Sequence, residues 1–482
     1  MNTVISSIGE FHTTPLQKPK KPLGPLKNIR PLTLSNTTRK LLSVITLKRI
    51  QTKIDSYTGA SQSGYKRGRS CGDIVWSQRM LNSVLMRKKW EYYKMGLDMS
   101  SAFDTINRQT ILNVLGDAGC TEDELRLVRL LLSETKLKIN INGTISVEFV
   151  STVGAFQGDA LSGNLFTITL AAALHHLRAI LSRVASTPYA VRTAIPNPPI
   201  SNCLMPLESE YADDIDFINE QLEPLENILP IATEVFDEWN LYINQDKTDF
   251  VHVYLAAPKP NKKKVVPGTI YRGHEEWRKS ITLGSMLCSV DDMKNRCILG
   301  DLAFKKFEKI WLKKSQICLD RKLKIYEAQV VSVILYNCNS WSAPQQCFDK
   351  LDATHRRHLR AILNIQWPTG IIKNKDLYKR CNTIPLSCRV TTSRWKMLGH
   401  ILRGDENSPA YLSLVFAITG TSDFAGRLGR PSLNLLDMIR KDLKSKNINN
   451  MLTNIEDFNK LKILAFDKVN WRKYANSSDV SL

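Results

Sequence analysis

The 482-residue chain reads as an α+β protein, an antiparallel sheet backed by helices and followed by a mainly helical C-terminal region. Three observations predict this. Between about residues 94 and 254, short apolar–polar alternations closed by tight turns are interleaved with helical stretches. Beyond Asp291 the alternation gives way to helical periodicity. The length exceeds one compact core, and 43% apolar with 23% charged residues is an ordinary globular composition.

Taken in order, residues 13–31 are rich in Pro and Lys and are expected to be extended. A helix is predicted over about 39–55, apolar at Leu41, Leu42, Val44, Ile45, Leu47 and Ile50, and another over about 73–92. The Gly- and Arg-rich segment 62–70 between them reads as a loop. A short strand over 94–99 ends at Asp98, after which Asp104 is expected to cap a helix running to about Gly116. Thr121-Glu-Asp-Glu124 is a capping box opening a helix to about Ser133. Leu137, Ile139 and Ile141, a turn at Asn142-Gly143, then Ile145, Val147 and Phe149 predict a hairpin.

Ser162 can start a long apolar helix to about Ser182, and 187–206, with five prolines, is expected to be a loop. A hairpin around Asp213 follows, then a helix over about 225–239 and strands near Tyr242 and 249–254. The basic stretch 258–264 reads as a linker. Helices are expected near 298–316, 320–340, 347–364, 385–403 and 432–445.

The net charge of +21 is uneven. Lys and Arg against Asp and Glu number 18 to 5 over residues 1–100, 18 to 25 over 101–300, and 31 to 16 over 301–482. An acidic middle between basic arms suits a protein that grips a polyanion with its flanks and binds cations at its centre. The ten cysteines are scattered without a C-x-x-C, so neither a disulfide framework nor a strong zinc motif is predicted. Cys381, Cys388 and His400 have no standard zinc spacing. No run of about 18 apolar residues suggests a membrane span. Met1–Glu10 lacks the pattern of a secretory signal, so an intracellular protein is expected, nucleus or cytoplasmic ribonucleoprotein not being resolved.

Tyr211-Ala-Asp213-Asp214 places two carboxylates at a predicted hairpin turn, 115 residues after Asp98 ends a strand. Template-directed nucleotide addition needs two divalent ions about 3.5–4 Å apart, held by carboxylates from separate strands. Asp98, Asp213 and Asp214 supply that set if their strands are neighbours, which spacing alone does not prove.

At these residues the chain resembles a family, the reverse transcriptases of non-LTR retrotransposons. Leu97-Asp98-Met-Ser-Ser-Ala-Phe103-Asp104 resembles the first catalytic motif, and Tyr211-Ala-Asp-Asp214 the second. Gly154-Ala-Phe-Gln157-Gly158-Asp159-Ala-Leu-Ser162-Gly163 is similar to the template- and nucleotide-contacting loop, Asn244-Gln-Asp-Lys247-Thr to the lysine-bearing turn, and Ile281-Thr-Leu283-Gly284-Ser285 to the primer grip. Asn28–Leu34 and Gln62–Ser70 resemble the fingers motifs, and segments from Ala303 to Trp341 the thumb. The likeness covers roughly residues 15–405.

The resemblance implies a right-hand polymerase: residues 1–93 as N-terminal segment and fingers, 94–290 as palm with some fingers elements, 291–405 as helical thumb, and 406–482 as a basic helical extension. It implies that Asp98 and Asp213 ligate two Mg2+ ions (Mn2+ as an alternative) with the Met99 carbonyl, and that Asp214 assists. Asp104 is expected to be a cap and not a ligand; Asp216, two residues past Asp214 on the same strand face, is expected to be an exposed strand acid, electrostatic tuning of the site being the alternative. Phe103 would lie under the incoming sugar and crowd a 2′-OH, a core Phe being the alternative. Gln157 and Gly158 would contact the nascent base pair. Lys247 would stabilise charge or donate a proton near the pyrophosphate, with a plain surface lysine as the alternative. Arg30 would grip the triphosphate, aided by Lys66, Arg67 or Arg69, among which the sequence does not choose.

The function implied is RNA-directed DNA polymerase, with RNA template, DNA primer and dNTPs as partners and no membrane; oligomeric state is not legible. A segment carrying an endonuclease is not recognisable, so a polymerase unit alone is expected. The alternative is a catalytically idle remnant that binds RNA or DNA. A group II intron-type or telomerase-type enzyme would share the chemistry.

Overall fold

The structure is a computed structural model. It describes residues 10–18, 22, 24–25, 28–87, 92–100, 102–133, 135–141, 143–184, 208–219, 221–253, 276–365, 370–419 and 433–476. The proline-rich stretch 187–206, the basic stretch 258–264, Lys21, Lys27 and Asn142 lie outside the described residues. The chain divides into two compact units, residues 1–70, 94–189 and 207–249 forming the first and the remainder the second.

In the first unit, strand β1 (Glu10–Gln17) pairs antiparallel with β2 (Ile29–Ser35), Thr13 opposite Thr33. It also pairs in parallel with β5 (Thr135–Ile141), Phe11 opposite Leu137, and those two side chains bury Phe156 between strand and loop. Parallel pairing needs a long crossover, and local sequence around 10–17 carries no trace of a partner more than a hundred residues away.

Helix α1 (Thr37–Tyr57) is capped by Asn36, whose side chain accepts from Arg39 N at 2.8 Å. Its buried face is not the expected apolar one. Arg39, Ser43, Thr46, Ile50 and Ile54 point inward, while Leu41, Val44 and Ile45 are exposed. The cause is Asp159, which draws in Arg39 Nε at 3.2 Å and Ser43 Oγ at 3.1 Å.

Strand β3 (Tyr92–Leu97) stops one residue before Asp98, and β4 (Met99–Ser100) follows it. Asp104 is not the expected cap: it lies inside the short helix α3 (Ala102–Thr105), and Asn107 caps α4 (Arg108–Asp117), accepting from Gln109 N at 2.8 Å. The capping box forms at α5 (Glu122–Leu132). The hairpin return is split into β6 (Thr144–Ile145) and β7 (Phe149–Ser151), both on β5, with Val147 exposed between them.

Helix α6 (Ser162–Val184) is, over Ser162–Arg183, long and apolar enough to cross a membrane, with mean hydropathy 1.4. The sequence reading missed that run. However, 67% of the window is buried inside the protein, as for a core helix.

The hairpin β8 (Glu208–Tyr211) and β9 (Asp214–Asn219) is antiparallel, Tyr211 opposite Asp214, and belongs to a four-stranded sheet of order β11-β3-β9-β8. Strand β11 spans Asp249–Val253. Between β9 and β11 come helix α7 (Glu223–Glu238), started by Pro224, and β10 (Tyr242–Ile243).

The second unit is mainly helical. It contains α2 (Cys71–Arg87) and the ribbon β12 (Ile281–Thr282) and β13 (Ser285–Met286), turned by Leu283 at φ 48° and Gly284 at φ 73°. Helix α8 (Ser289–Phe307) begins well before the expected residue 298, because Asp291 and Asp292 suit a first turn. Asp292 is fully buried and receives Arg79 Nη2 and Trp341 Nε1, each at 2.8 Å. Wide helical turns at Glu308–Leu312 and Glu327–Val331 interrupt the expected helices around α9 (Leu319–Tyr326).

Helices α10 (Gln345–Ile362), α11 (Asn374–Arg380) and α12 (Leu386–Leu402) follow, then α13 (Pro409–Thr419) and α14 (Leu435–Ser445). The unit closes with α15 (Ile455–Phe466) and α16 (Lys468–Asn476), which, like α13, the sequence reading missed. Trp395 and Trp471 stack with centroids 4.1 Å apart and join α12 to α16.

Candidate active site

The first unit brings the three carboxylates onto adjacent strands. Asp98 follows β3, and Asp213 and Asp214 sit at the turn into β9, the neighbour of β3 in the sheet. Burial raises the Asp213 carboxyl above 3.8, Asp98 raises it further, and Lys247 and Arg30 oppose the rise. Asp214 is pushed up to about 6 by desolvation, then by Asp213, Asp216 and Asp98, with Lys94 opposing. Asp213 and Asp214, each raised by burial and by neighbouring carboxylates, form with Asp98 a site that gains by taking up a cation.

Asp216 is not an exposed strand acid. It is buried on β9 and pairs with Lys94 of β3, Nζ to Oδ1 3.0 Å. Gly96 leaves room for it, since a Cβ there would lie 3.2 Å from Asp216 Oδ1.

Lys247 closes the site from another direction. Strand β10 pairs antiparallel with β4, Ile243 opposite Met99, and Asn244 N donates to the Asp98 carbonyl at 2.8 Å. The short helical turn Gln245–Lys247 then aims the lysine back, and its Nζ donates to Asp98 Oδ2. The lysine side chain is itself 56% exposed, so it meets Asp98 at the surface.

Phe103 is half-buried, stacked on Phe166 with centroids 4.8 Å apart and met edge-on by Tyr65 at 6.3 Å. Its carbonyl accepts from Ala155 N at 2.7 Å, fastening the loop that carries Gln157. Gln157 O accepts from Thr33 N at 2.8 Å. Gly158, at φ 118°, passes so close that a Cβ would lie 2.5 Å from Thr33 O. The Arg39–Asp159 pair anchors the far end of this loop, and sequence reasoning missed it. Its one signal was an arginine three residues after the Asn36 helix cap.

Arg30 is exposed on β2, close enough to act on Asp213. Among the other candidate cations, Lys66 Nζ donates to the Gly59 carbonyl within its own loop, Arg67 is exposed, and Arg69 is half-buried. The segment 281–285 forms the β12–β13 turn in the second unit, where Tyr336 donates to the Leu283 carbonyl at 3.1 Å. Cys381 is buried and His400 Nε2 lies 2.9 Å from Asp73, so the cysteine–histidine trio is not assembled.

Among the described residues no three His, Cys, Asp or Glu side chains form a ready coordination shell. The donor set nevertheless fits hard divalent cations: it consists of carboxylate oxygens, and the raised Asp213 and Asp214 carboxyls would be relieved by a bound cation. Lys247 stands at Asp98 where a cation would compete.

Residues 17–286 match the family described as reverse transcriptase (RNA-dependent DNA polymerase). Over 146 residues the chain is 28% identical to the "Retrovirus-related Pol polyprotein from type-1 retrotransposable element R2" of Popillia japonica. That match covers 30% of this chain and 20% of the relative, so the matched stretch spans about a fifth of the polyprotein. Apo telomerase from Candida tropicalis superposes with TM-score 0.39 and 12% identity over 83% of this chain and 69% of that one. Telomerase from Candida albicans gives 0.36 and 12% over 82% and 64%. Likeness at those TM-scores is too loose to carry a mechanistic reading.

Proposed function

The chain belongs to the reverse transcriptase (RNA-dependent DNA polymerase) family, and we propose on that premise that it extends a DNA primer on an RNA template. The reaction is attack of the primer 3′-OH on the α-phosphate of a dNTP, with release of pyrophosphate. The single observation that supports this best is the meeting of Asp98, Asp213 and Asp214 on neighbouring strands with Lys247 on Asp98. In this reading Asp98 and Asp213 would hold two Mg2+ ions with the Met99 carbonyl, with Asp214 assisting. The ions supply activation of the 3′-OH and neutralisation of the leaving pyrophosphate.

The chain's own groups do the rest. Lys247 Nζ, which donates to Asp98 Oδ2, would serve the departing pyrophosphate oxygen as charge stabiliser or general acid. Arg30 offers a planar fork to the triphosphate, aided by Lys66, Arg67 or Arg69. Phe103 crowds the sugar 2′ position, and the Gln157-Gly158 backbone approaches the nascent base pair. The basic arms track template and primer by their phosphates.

Primer extension tests the proposal: purified protein, a primed RNA template, dNTPs and Mg2+. Extension that disappears in Asp213→Asn supports it. Tight RNA–DNA binding with no extension by the wild type would overturn it in favour of a binding-only remnant.

A further inference from the structure

Residues 61–64 precede the cationic loop and lie directly on the catalytic hairpin. Ser63 N donates to the Glu210 carbonyl at 2.9 Å, and Glu210 N donates to the Ser61 carbonyl at 3.2 Å. Gln62 is 1% exposed, and its side-chain oxygen accepts from Gly64 N at 2.6 Å and from Ala212 N at 3.0 Å. Its amide nitrogen donates to Glu210 Oε2 at 3.4 Å. Only one orientation of the amide works, because the reverse would set an NH2 against two backbone N–H groups.

Ala212 immediately precedes Asp213 and has φ 55°. A left-handed conformation is strained for a residue other than glycine, so something must hold it there. Gly64 permits the approach, since a Cβ on it would lie 2.3 Å from Ala212 N.

We propose that Gln62 is a positioning residue for nucleotidyl transfer, its side-chain oxygen clamping the Ala212 N–H so that the turn presents Asp213 and Asp214 toward Asp98. The proposal rests on the polymerase reading. It gives the glutamine and glycine of this segment a task that the cations beyond them do not share. It also joins the loop bearing Arg67 to the turn bearing the carboxylates.

The test uses the full chain and the variant Gln62→Met, which keeps length and removes the acceptor. On a primed RNA template with Mg2+, kcat should fall about 10- to 100-fold, the scale of a misplaced reacting group. KM for the dNTP should stay within about threefold, because the substrate-binding groups are untouched. Amide hydrogen exchange across residues 208–218 should accelerate. Adding Ala212→Gly should restore part of kcat, since glycine holds a positive φ without help.

Gln62→Asn, which withdraws the oxygen by one methylene, gives the same reading if the methionine variant does not fold. Unchanged kcat, unchanged exchange over 208–218, or no recovery with Ala212→Gly would overturn the clamp. If the wild type extends no primer, the polymerase reading fails. The exchange of 208–218 then still decides whether Gln62 holds the turn.

Discussion

Lys94 Nζ lies 3.0 Å from Asp216 Oδ1, with the two side chains only 6% and 12% exposed. The pair ties β3 to β9 just behind Asp98 and Asp214. Removing one partner of a buried pair leaves an uncompensated charge, which costs about 3–5 kcal/mol, whereas replacing both by apolar groups is often neutral. Lys94→Met should therefore lower the urea midpoint strongly, and Lys94→Met with Asp216→Leu should recover most of it. A double variant no better than the single would show that the pair is not what holds the strands.

Gly158 gives a second prediction. Its φ of 118° is strained for any side chain, and a Cβ would meet backbone, the Thr33 carbonyl, at 2.5 Å. Gly158→Ala should cost about 1–3 kcal/mol and should push the Gln157 loop away from β2. The loss should exceed that of alanine at Gly119, whose Cβ would meet nothing within 4 Å although φ is also positive. Thermal melting of the two variants compares them directly.

The local turns that carry the candidate site were legible in short motifs, whereas their convergence was implied only by the family resemblance. Asp213 falls in a tight hairpin turn and Lys247 in a short turn after a strand. What was not legible depends on partners distant in sequence. Asp216 was read as exposed because strand alternation says nothing of a lysine on the neighbouring strand. The apolar residues of α1 suggested the wrong face, since Asp159, far along the chain, makes Arg39 and Ser43 the inward side. Strand β1 depends on a parallel partner in the same way. Asp104 resembled a cap, but Asn107 starts the next helix, and both residue types serve equally as caps.

The pH dependence follows from Asp214, whose carboxyl is raised from 3.8 to about 6. A carboxyl raised on folding takes up a proton in the folded state. Its contribution to stability is complete below pH 3.8 and is lost as pH rises through about 6. Melting temperature measured in EDTA should therefore contain a component that declines across this window and vanishes in Asp214→Asn. Saturating Mg2+ should remove the decline, because a bound cation favours the ionised form. A melting curve in EDTA with the same pH slope in wild type and Asp214→Asn would contradict this.

Phe103 gives the last prediction. The ring is half-buried, with one face on Phe166 and its edge toward Tyr65. The stacking on Phe166 favours one orientation of the ring, so crowding of a sugar in that orientation is relieved only at the expense of the stack. A pocket that excludes a hydroxyl by shape discriminates by about 10–200-fold, because one small group in an apolar site is worth only about 1–3 kcal/mol. Phe103→Val should shorten the side chain and raise the ratio of ribonucleotide to deoxyribonucleotide incorporation by about that factor, mainly by improving use of rNTPs. Lost contact with Phe166 should lower stability as well, so the ratio within one variant is the informative quantity. Single-nucleotide extension with dNTP and rNTP on the same primed template measures it. A ratio unchanged in Phe103→Val would mean that Phe103 is a core residue only.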